Sequence, residues 1–403
     1  MRDEWPEIVA RATRTRRDLH QRPELAWAEV DTAHTVRAAL DDIGISYRSC
    51  AGTGTVAHLA ADAGGRHVAL RADLDAMPIA EDSDHDYRSQ QPSVMHACGH
   101  DGHTATLLAV ARWLKLREAE LPGPVTLLFQ PAEEGGHGAR EMIADGCLSG
   151  PPGGRPVDTV FGWHNWPTLP LGQAICPDGP VMSANGLFSV RVHGRGGHAS
   201  QPETTRDPVL GAAAITVALQ QVVARRLSPQ ASAVVAVTSL RAESAATVTP
   251  DDAELAGSVR VADDAARDHV FDLIAEIATA VAAAHGVTAI VETTPRYGAT
   301  VNHPGPAREL RAGLDAVLGD EWARHGAVTP VMASEDFSYY LQRIPGAFAL
   351  IGGSPDDAGV PLHSARYDFD DRLIDPVARI LIGLAGADEP PPLIRKEKES
   401  QHI

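Results

Sequence analysis

The run His96-Ala97-Cys98-Gly99-His100-Asp101-Gly102-His103 packs three histidines, a cysteine and an aspartate into eight residues. Its two glycines let the backbone bend sharply. Cys98 and His100 stand two apart, a spacing that an extended or turning backbone can aim at one point. Thiolate and imidazole are preferred ligands of zinc and of several other transition metals. The competing reading of the octet alone is a free buried cysteine beside exposed histidines. A second chemical feature is the adjacent pair Glu133-Glu134, between Pro131 and Gly135-Gly136. Neighbouring loop residues point in different directions. One carboxylate can therefore hold a metal while the other serves as general base, a role that burial suits by raising its pKa. An isolated Glu-Glu is more often a solvated acidic pair, but the flanking proline and glycines favour a shaped loop here.

The elements that must position these residues follow from periodicity. Residues 5–43 read as helical apart from Arg22-Pro23-Glu24, with Gly44 as a stop. Strand-like runs then alternate with helical stretches. Val68-Ala69-Leu70 precedes Asp73 and Asp75, a helix is expected over 101–116, and Val125–Phe129, Val157–Phe161 and Ala347–Ile351 read as buried strands. This alternation implies an α/β sheet with helices on both faces. Asp73 and Asp75, Glu133 and Glu134, His164 and His363 each fall just past the carboxyl end of an expected strand, the edge where open α/β sheets bind ligands. Alone, His164 reads equally as a stacked surface histidine, His363 as a loop histidine, and Asp73 as a strand-end aspartate bonding backbone.

From about Ala184 to Thr294 the pattern changes to strand, helix, strand, strand, helix, strand. Two helices on a four-stranded antiparallel sheet make a ferredoxin-like unit. The expected fold class is thus α/β, with a smaller ferredoxin-like α+β domain (184–295) inserted into a larger, discontinuous α/β domain (1–183 and 296–395). Residues 396–403 are expected to form a flexible tail.

Composition bounds the partners. The 403-residue chain is 44% hydrophobic, ordinary for a globular protein, and its formal net charge of −18 argues against nucleic acid or an anionic membrane. No apolar run approaches the roughly 20 residues that span a bilayer. The Met1-Arg2-Asp3-Glu4-Trp5 start lacks a signal-peptide pattern. Cys50, Cys98, Cys147 and Cys176 form no framework, which suggests reduced thiols in the cytoplasm.

Seven motifs occur in order between about Arg17 and Phe369. They are Leu70-Arg71-Ala72-Asp73-Leu74-Asp75-Ala76-Met77-Pro78, the octet at His96, Phe129-Gln130-Pro131-Ala132-Glu133-Glu134-Gly135-Gly136, Gly162-Trp163-His164, Gly194-Arg195-Gly196-Gly197-His198-Ala199-Ser200, Ser334-Glu335-Asp336-Phe337 and Leu362-His363-Ser364. Together they closely resemble the hippurate hydrolase/indole-acetyl-amino-acid hydrolase branch of the aminoacylase–carboxypeptidase metallohydrolase family.

The resemblance implies a metallopeptidase-like catalytic domain holding two divalent ions (Zn, Mn, Co or Ni) that share a bridging ligand and a bridging water. Carried over, Cys98 bridges, His100 and His164 complete one ion, and Glu134 and His363 complete the other. Glu133 takes a proton from the bridging water and passes it to the leaving amine. Asp75 orients a metal-bound histidine, and Asp73 stands where other branches place a metal-binding histidine. His198 of the inserted lid or dimerisation domain stabilises the oxyanion in a partner subunit's site, and Arg260 meets the substrate carboxylate. Glu335 or Asp336 supports the metal site or simply caps the loop, and His96 and His103 pack at the start of the following helix. The implied reaction is metal-dependent hydrolysis of an N-acyl-amino acid to a carboxylate and a free amino acid, by a homodimer or homotetramer assembled through the inserted domain. Rival readings are a dipeptidase or carboxypeptidase with the same site, and a non-catalytic metal-binding protein. One departure stands out: Thr247-Val248-Thr249-Pro250 replaces the Asn-Val-Ile-Pro frequent among relatives, which bears on recognition of the substrate's polar end.

Overall fold

A computed structural model describes residues 4–324, 326–354, 359–391 and 393; the expected tail at 396–403 lies outside the described residues. The chain forms two compact units, Met1–Gly179 with Asn302–Ala327 and Tyr339–Ile403, and Pro180–Val301 with Val328–Ser338. Val328–Ser338, which the pattern of alternation assigns to the larger domain, groups with the smaller unit. The backbone explains this: the Val331 amide donates to Val181 O at 2.9 Å, and the Ser183 amide is shared between Val331 O and Ala333 O.

In the larger unit, α1 (Glu4–Gln21) carries acidic residues in its first turn and buries Trp5, Ile8, Ala12 and Leu19 at helical spacing. It stops just before Pro23, which restricts the residue ahead of it. Helix α2 (Val30–Asp42) ends at Gly44, whose φ of +67° suits a glycine. The sheet contains β1 (Tyr47–Cys50), β2 (Gly54–Leu59), β3 (Val68–Asp73), β4 (Val125–Gln130), β5 (Thr159–Pro170), β6 (Ala174–Ile175) and β7 (Gly346–Ser354). Their spatial order is β1-β2-β4-β3-β5-β7-β6. The central strands β4, β3, β5 and β7 are parallel. Every residue of β3 and β4 is buried, as continuous apolar runs in a covered parallel sheet must be. Helix α3 (His100–Leu116) packs against α1, the helix Ile374–Leu384 and β3.

The smaller unit is a four-stranded antiparallel sheet in the order Ala233–Arg241, Asp252–Val261, Ala184–His193, Thr288–Pro295. With the helices Pro208–Ala218 and Asp264–Ala284 it has the ferredoxin-like connectivity. The Ala184–His193 strand alternates buried with more accessible positions, so one sheet face packs on the helices. Asp207 and Asp263 cap the two helices, accepting the backbone amides of Val209 and Ala266 at 2.8 Å.

Candidate metal centre

Seven of the nine expected site residues lie in the larger unit, and six of them come from the loops and termini where its parallel strands end. Asp75 follows β3 and is buried. Its Oδ1 accepts the Glu133 amide at 3.0 Å and its Oδ2 accepts the Glu134 amide at 2.8 Å. One aspartate thus fixes the backbone of the whole Glu-Glu pair. The pair reaches it because Ala132, just past β4, adopts a φ of +54° rare for a residue with a Cβ. The Ala132 amide donates to Glu29 Oε1 at 2.8 Å. Glu29 is fully buried, and nothing in its local sequence marks it as a support for a loop a hundred residues away.

Cys98 and His100 flank Gly99, whose φ is +92°. A Cβ there would lie 2.6 Å from Asn165 Oδ1 and 2.9 Å from Tyr367 Oη, so the turn requires glycine in both conformation and space. His100 opens α3. His164 lies inside β5, where the sequence reading places it just beyond a strand. The reason is one-sided pairing: β5 leaves β3 after the Leu70–Phe161 rung but continues beside β7 through Pro170. His164 therefore still occupies the point where β3 ends. His363 has a φ of +64°, and its amide is tied to Ala97 O at 2.8 Å, one residue from Cys98.

These placements bring the ligand-type atoms together. Cys98 Sγ lies 3.3 Å from His164 Nε2, and His363 Nε2 lies 3.3 Å from Glu134 Oε1. Cys98, His100 and His164 form one group whose ligand atoms all lie within 4.8 Å of one another; Cys98, Glu134 and His363 form another. The two groups share the thiol. His100, Glu133 and Glu134 meet the same criterion, so Glu133 adjoins both.

The electrostatics are those of a cation site. Burial and the nearby Glu134, Glu133 and Asp73 carboxylates hold the Cys98 thiol well above its ordinary range. Burial opposes protonation of His100, but Asp73, Asp75 and Glu134 outweigh it and push the imidazole up to about 10. Burial and the adjacent His103 hold His164 well below its usual value. Burial would raise Glu134, yet His363 and His100 keep it below the ordinary carboxylate range. Both ring nitrogens of His100 and Glu134 Oε1 are buried without a hydrogen bond. These atoms face charged neighbours at longer range: His100 the Asp75 and Asp73 carboxylates at 3.4 and 3.6 Å, and Glu134 the His363 ring at 3.3 Å. Such buried ligand-type atoms beside a thiol suit transition-metal coordination.

His103 does more than pack at the helix start: it bonds Asp73 and Asn165 at 2.6 and 2.5 Å. Asp73 also accepts from Arg71 Nη1 at 2.6 Å. His96 is buried with neither ring nitrogen bonded. In the smaller unit, His198 is exposed, and Gly197-His198 runs antiparallel to Val248-Thr249. The departure at Thr247–Pro250 therefore borders His198. Arg260 donates to Ser334 Oγ at 3.0 Å; Glu335 and Asp336 are buried in the same unit.

Residues 69–386 match peptidase family M20/M25/M40. The chain is 38% identical to the N-acetyl-L-cysteine deacetylase of Bacillus subtilis over 89% of its length and 83% of that protein's. It is 37% identical to the IAA-amino acid hydrolase ILR1-like 4 of Arabidopsis thaliana, covering 89% of this chain and 81% of the other. Among solved structures it resembles YXEP of Bacillus subtilis, described as a dinuclear metal binding peptidase from the M20 family, with a TM-score of 0.80, 31% identity and coverage of 94% and 98%. On the extent of these matches, the chain belongs to peptidase family M20/M25/M40.

Proposed function

We propose that the chain is a metal-dependent amidohydrolase that cleaves N-acyl-amino acids into a carboxylate and a free amino acid. The observation that carries this reading is the pair of ligand groups sharing Cys98, with Glu133 beside them and its backbone held by Asp75. Cys98, His100 and His164 would hold one divalent ion, and Cys98, Glu134 and His363 the other; zinc, manganese, cobalt and nickel all suit this donor set. When bound, such ions polarise a carbonyl and make water acidic near neutral pH.

Glu133 takes a proton from the attacking water and delivers it to the leaving amine. Asp75 orients His100 and holds both glutamates in register. His198 donates to the developing oxyanion in the site of a partner subunit, and Arg260 pairs with the substrate carboxylate. Arg260 has a serine partner and is held below its ordinary pKa by burial, which supports an anionic ligand there. Assembly is as a homodimer, or a homotetramer, through the smaller unit, which serves as lid and dimerisation domain. Support comes from Leu187, Val234 and Ile290, exposed on the sheet face that β-register assigns also to Arg260. Four free, buried thiols support a reducing, cytoplasmic setting.

Hydrolysis of N-acetyl- and N-benzoyl-amino acids, set against dipeptides on metal-reconstituted protein, tests the substrate class. Turnover of dipeptides alone would replace this reading with a dipeptidase. Glu133→Gln is expected to lower kcat by about 10²- to 10⁴-fold with metal content unchanged; retained turnover would remove Glu133 from its role.

A further inference from the structure

Beneath the ligand groups runs a buried string of hydrogen-bonded side chains, none of them in the ligand set. Asp73 Oδ1 meets His103 Nδ1 at 2.6 Å, and His103 Nε2 meets Asn165 Oδ1 at 2.5 Å. Asn165 Nδ2 then donates to Tyr367 Oη at 2.6 Å. All four residues are at most 2% exposed. The near end is anchored by Arg71, which donates from Nη1 to Asp73 Oδ2 at 2.6 Å and from Nε to Gln130 Oε1 at 2.8 Å. The Thr104 hydroxyl adds a bond to Asp73 O at 2.8 Å.

The string shadows the ligand set. Asp73 stands two residues before Asp75, His103 three after His100, Asn165 one after His164 and Tyr367 four after His363. One run of hydrogen bonds therefore ties together four chain segments that are remote in sequence, and each segment carries a residue of the centre. The contact is also direct. The Gly99 turn rests on the Asn165 and Tyr367 oxygens, with no room for a Cβ. The His103 ring lies edge-on to His164 at 4.7 Å between centroids and is stacked on His100 at 5.5 Å. The Tyr367 amide donates to Ser364 O at 3.0 Å, closing the turn that follows His363.

We propose that His103, Asn165 and Tyr367 are positioning residues that preset Cys98, His100 and His164 for metal binding. The inference rests on the ligand set assigned under the proposed function. Asp73, His100 and His103 also lie close enough to surround an ion. Arg71 already occupies Asp73 Oδ2, and both His103 nitrogens face acceptor oxygens, so this corner supports the centre and does not add a third ion. Buried polar networks with every member bonded hold one geometry, because any displacement strands a polar group away from water. That is the property a preset ligand cluster needs.

The test uses full-length apoprotein titrated with Co²⁺ against a competing chelator, with the visible spectrum recorded at saturation. Tyr367→Phe keeps the ring and removes the oxygen that accepts from Asn165; Asn165→Leu removes the central link. Each variant is expected to bind Co²⁺ about ten-fold more weakly or worse, with shifted d–d bands. At saturating cobalt, kcat should fall with KM unchanged. Removing the oxygen also leaves the buried Asn165 amide unpaired and lowers the thermal midpoint somewhat. The d–d bands at saturating cobalt therefore separate positioning from general destabilisation: a protein that is only less stable keeps the wild-type spectrum once loaded. Wild-type cobalt affinity and spectrum in both variants would overturn the positioning role and leave the ligand set standing. A wild-type protein that gains no thiolate-to-cobalt band would overturn the ligand set, and this proposal with it.

Discussion

Cys98 belongs both to the group with His100 and His164 and to the group with Glu134 and His363. Losing it should weaken two ion sites at once, whereas losing His363 should weaken one. Cys98→Ala is expected to strip most bound metal, and His363→Ala about half of it, as elemental analysis after desalting would read. Equal losses in the two variants would argue against a shared thiol. At this scale much was legible. The density of ligand types in the octet and the proline–glycine frame of Glu133-Glu134 are local properties of the chain. Which histidine does what is open in the octet alone, and only the family resemblance assigns His100 as a ligand and His103 to packing. His100 and His103 are three residues apart on one helix, and both are buried. Only the packing of β3 and β5 against that helix gives His103 two oxygen partners and leaves both His100 nitrogens without a hydrogen bond.

At the level of elements, strands β3 and β4 are readable because a covered parallel strand is apolar throughout, while periodicity ends β5 at Phe161 and the structure carries it to Pro170. Its Gly162–Pro170 stretch carries His164, Asn165 and two prolines, residues that periodicity counts as loop. Pairing with β7 on one side alone suffices to keep it extended. The strands also hold a pH-sensitive device, at the opposite end of β3 and β4 from the candidate centre. Thr126 Oγ1 of β4 lies 3.0 Å from His58 Nδ1 and 2.8 Å from His67 Nε2. His67 Nδ1 faces Arg155 O at 2.9 Å and must donate to it, so the threonine hydroxyl donates to His67 Nε2 and accepts from His58. Burial, then the neighbouring His67, pushes His58 down to about 4, and burial lowers His67 as well. Between pH 4 and the ordinary value of 6.5, His58 binds more protons in the unfolded chain than in the folded one. The contribution of His58 to stability is present above pH 6.5 and is lost as pH falls through that window. Urea midpoints at pH 7 and pH 5 should differ less for His58→Gln than for wild type. An identical pH dependence would show that His58 is not strained in this way.

For the whole molecule, the consequence is a fold whose stability is coupled to its ions. Asp73, Asp75, Glu133 and Glu134 converge on a buried volume around His100, and bringing acidic groups out of water is costly unless cations accompany them. A ligand bound only by the folded state adds about 4 kcal/mol at a thousand times its Kd. Chelation followed by desalting is therefore expected to lower the thermal midpoint by several degrees or more, with recovery on adding Mn²⁺ or Zn²⁺. A midpoint unmoved by demonstrated metal loss would contradict that coupling. The α/β pattern, the ferredoxin-like insertion and the set of chemically able residues were determined by the sequence alone, because composition, periodicity and motif order are carried along the chain. The tertiary structure decided the rest: Val328–Ser338 joins the smaller unit, His164 sits within a strand, Glu29 steadies the glutamate loop, and the Asp73–His103–Asn165–Tyr367 string forms. Each of these depends on backbone and side-chain partners tens to hundreds of residues apart, and hydrogen bonds made across such distances leave no periodic trace in the sequence they join.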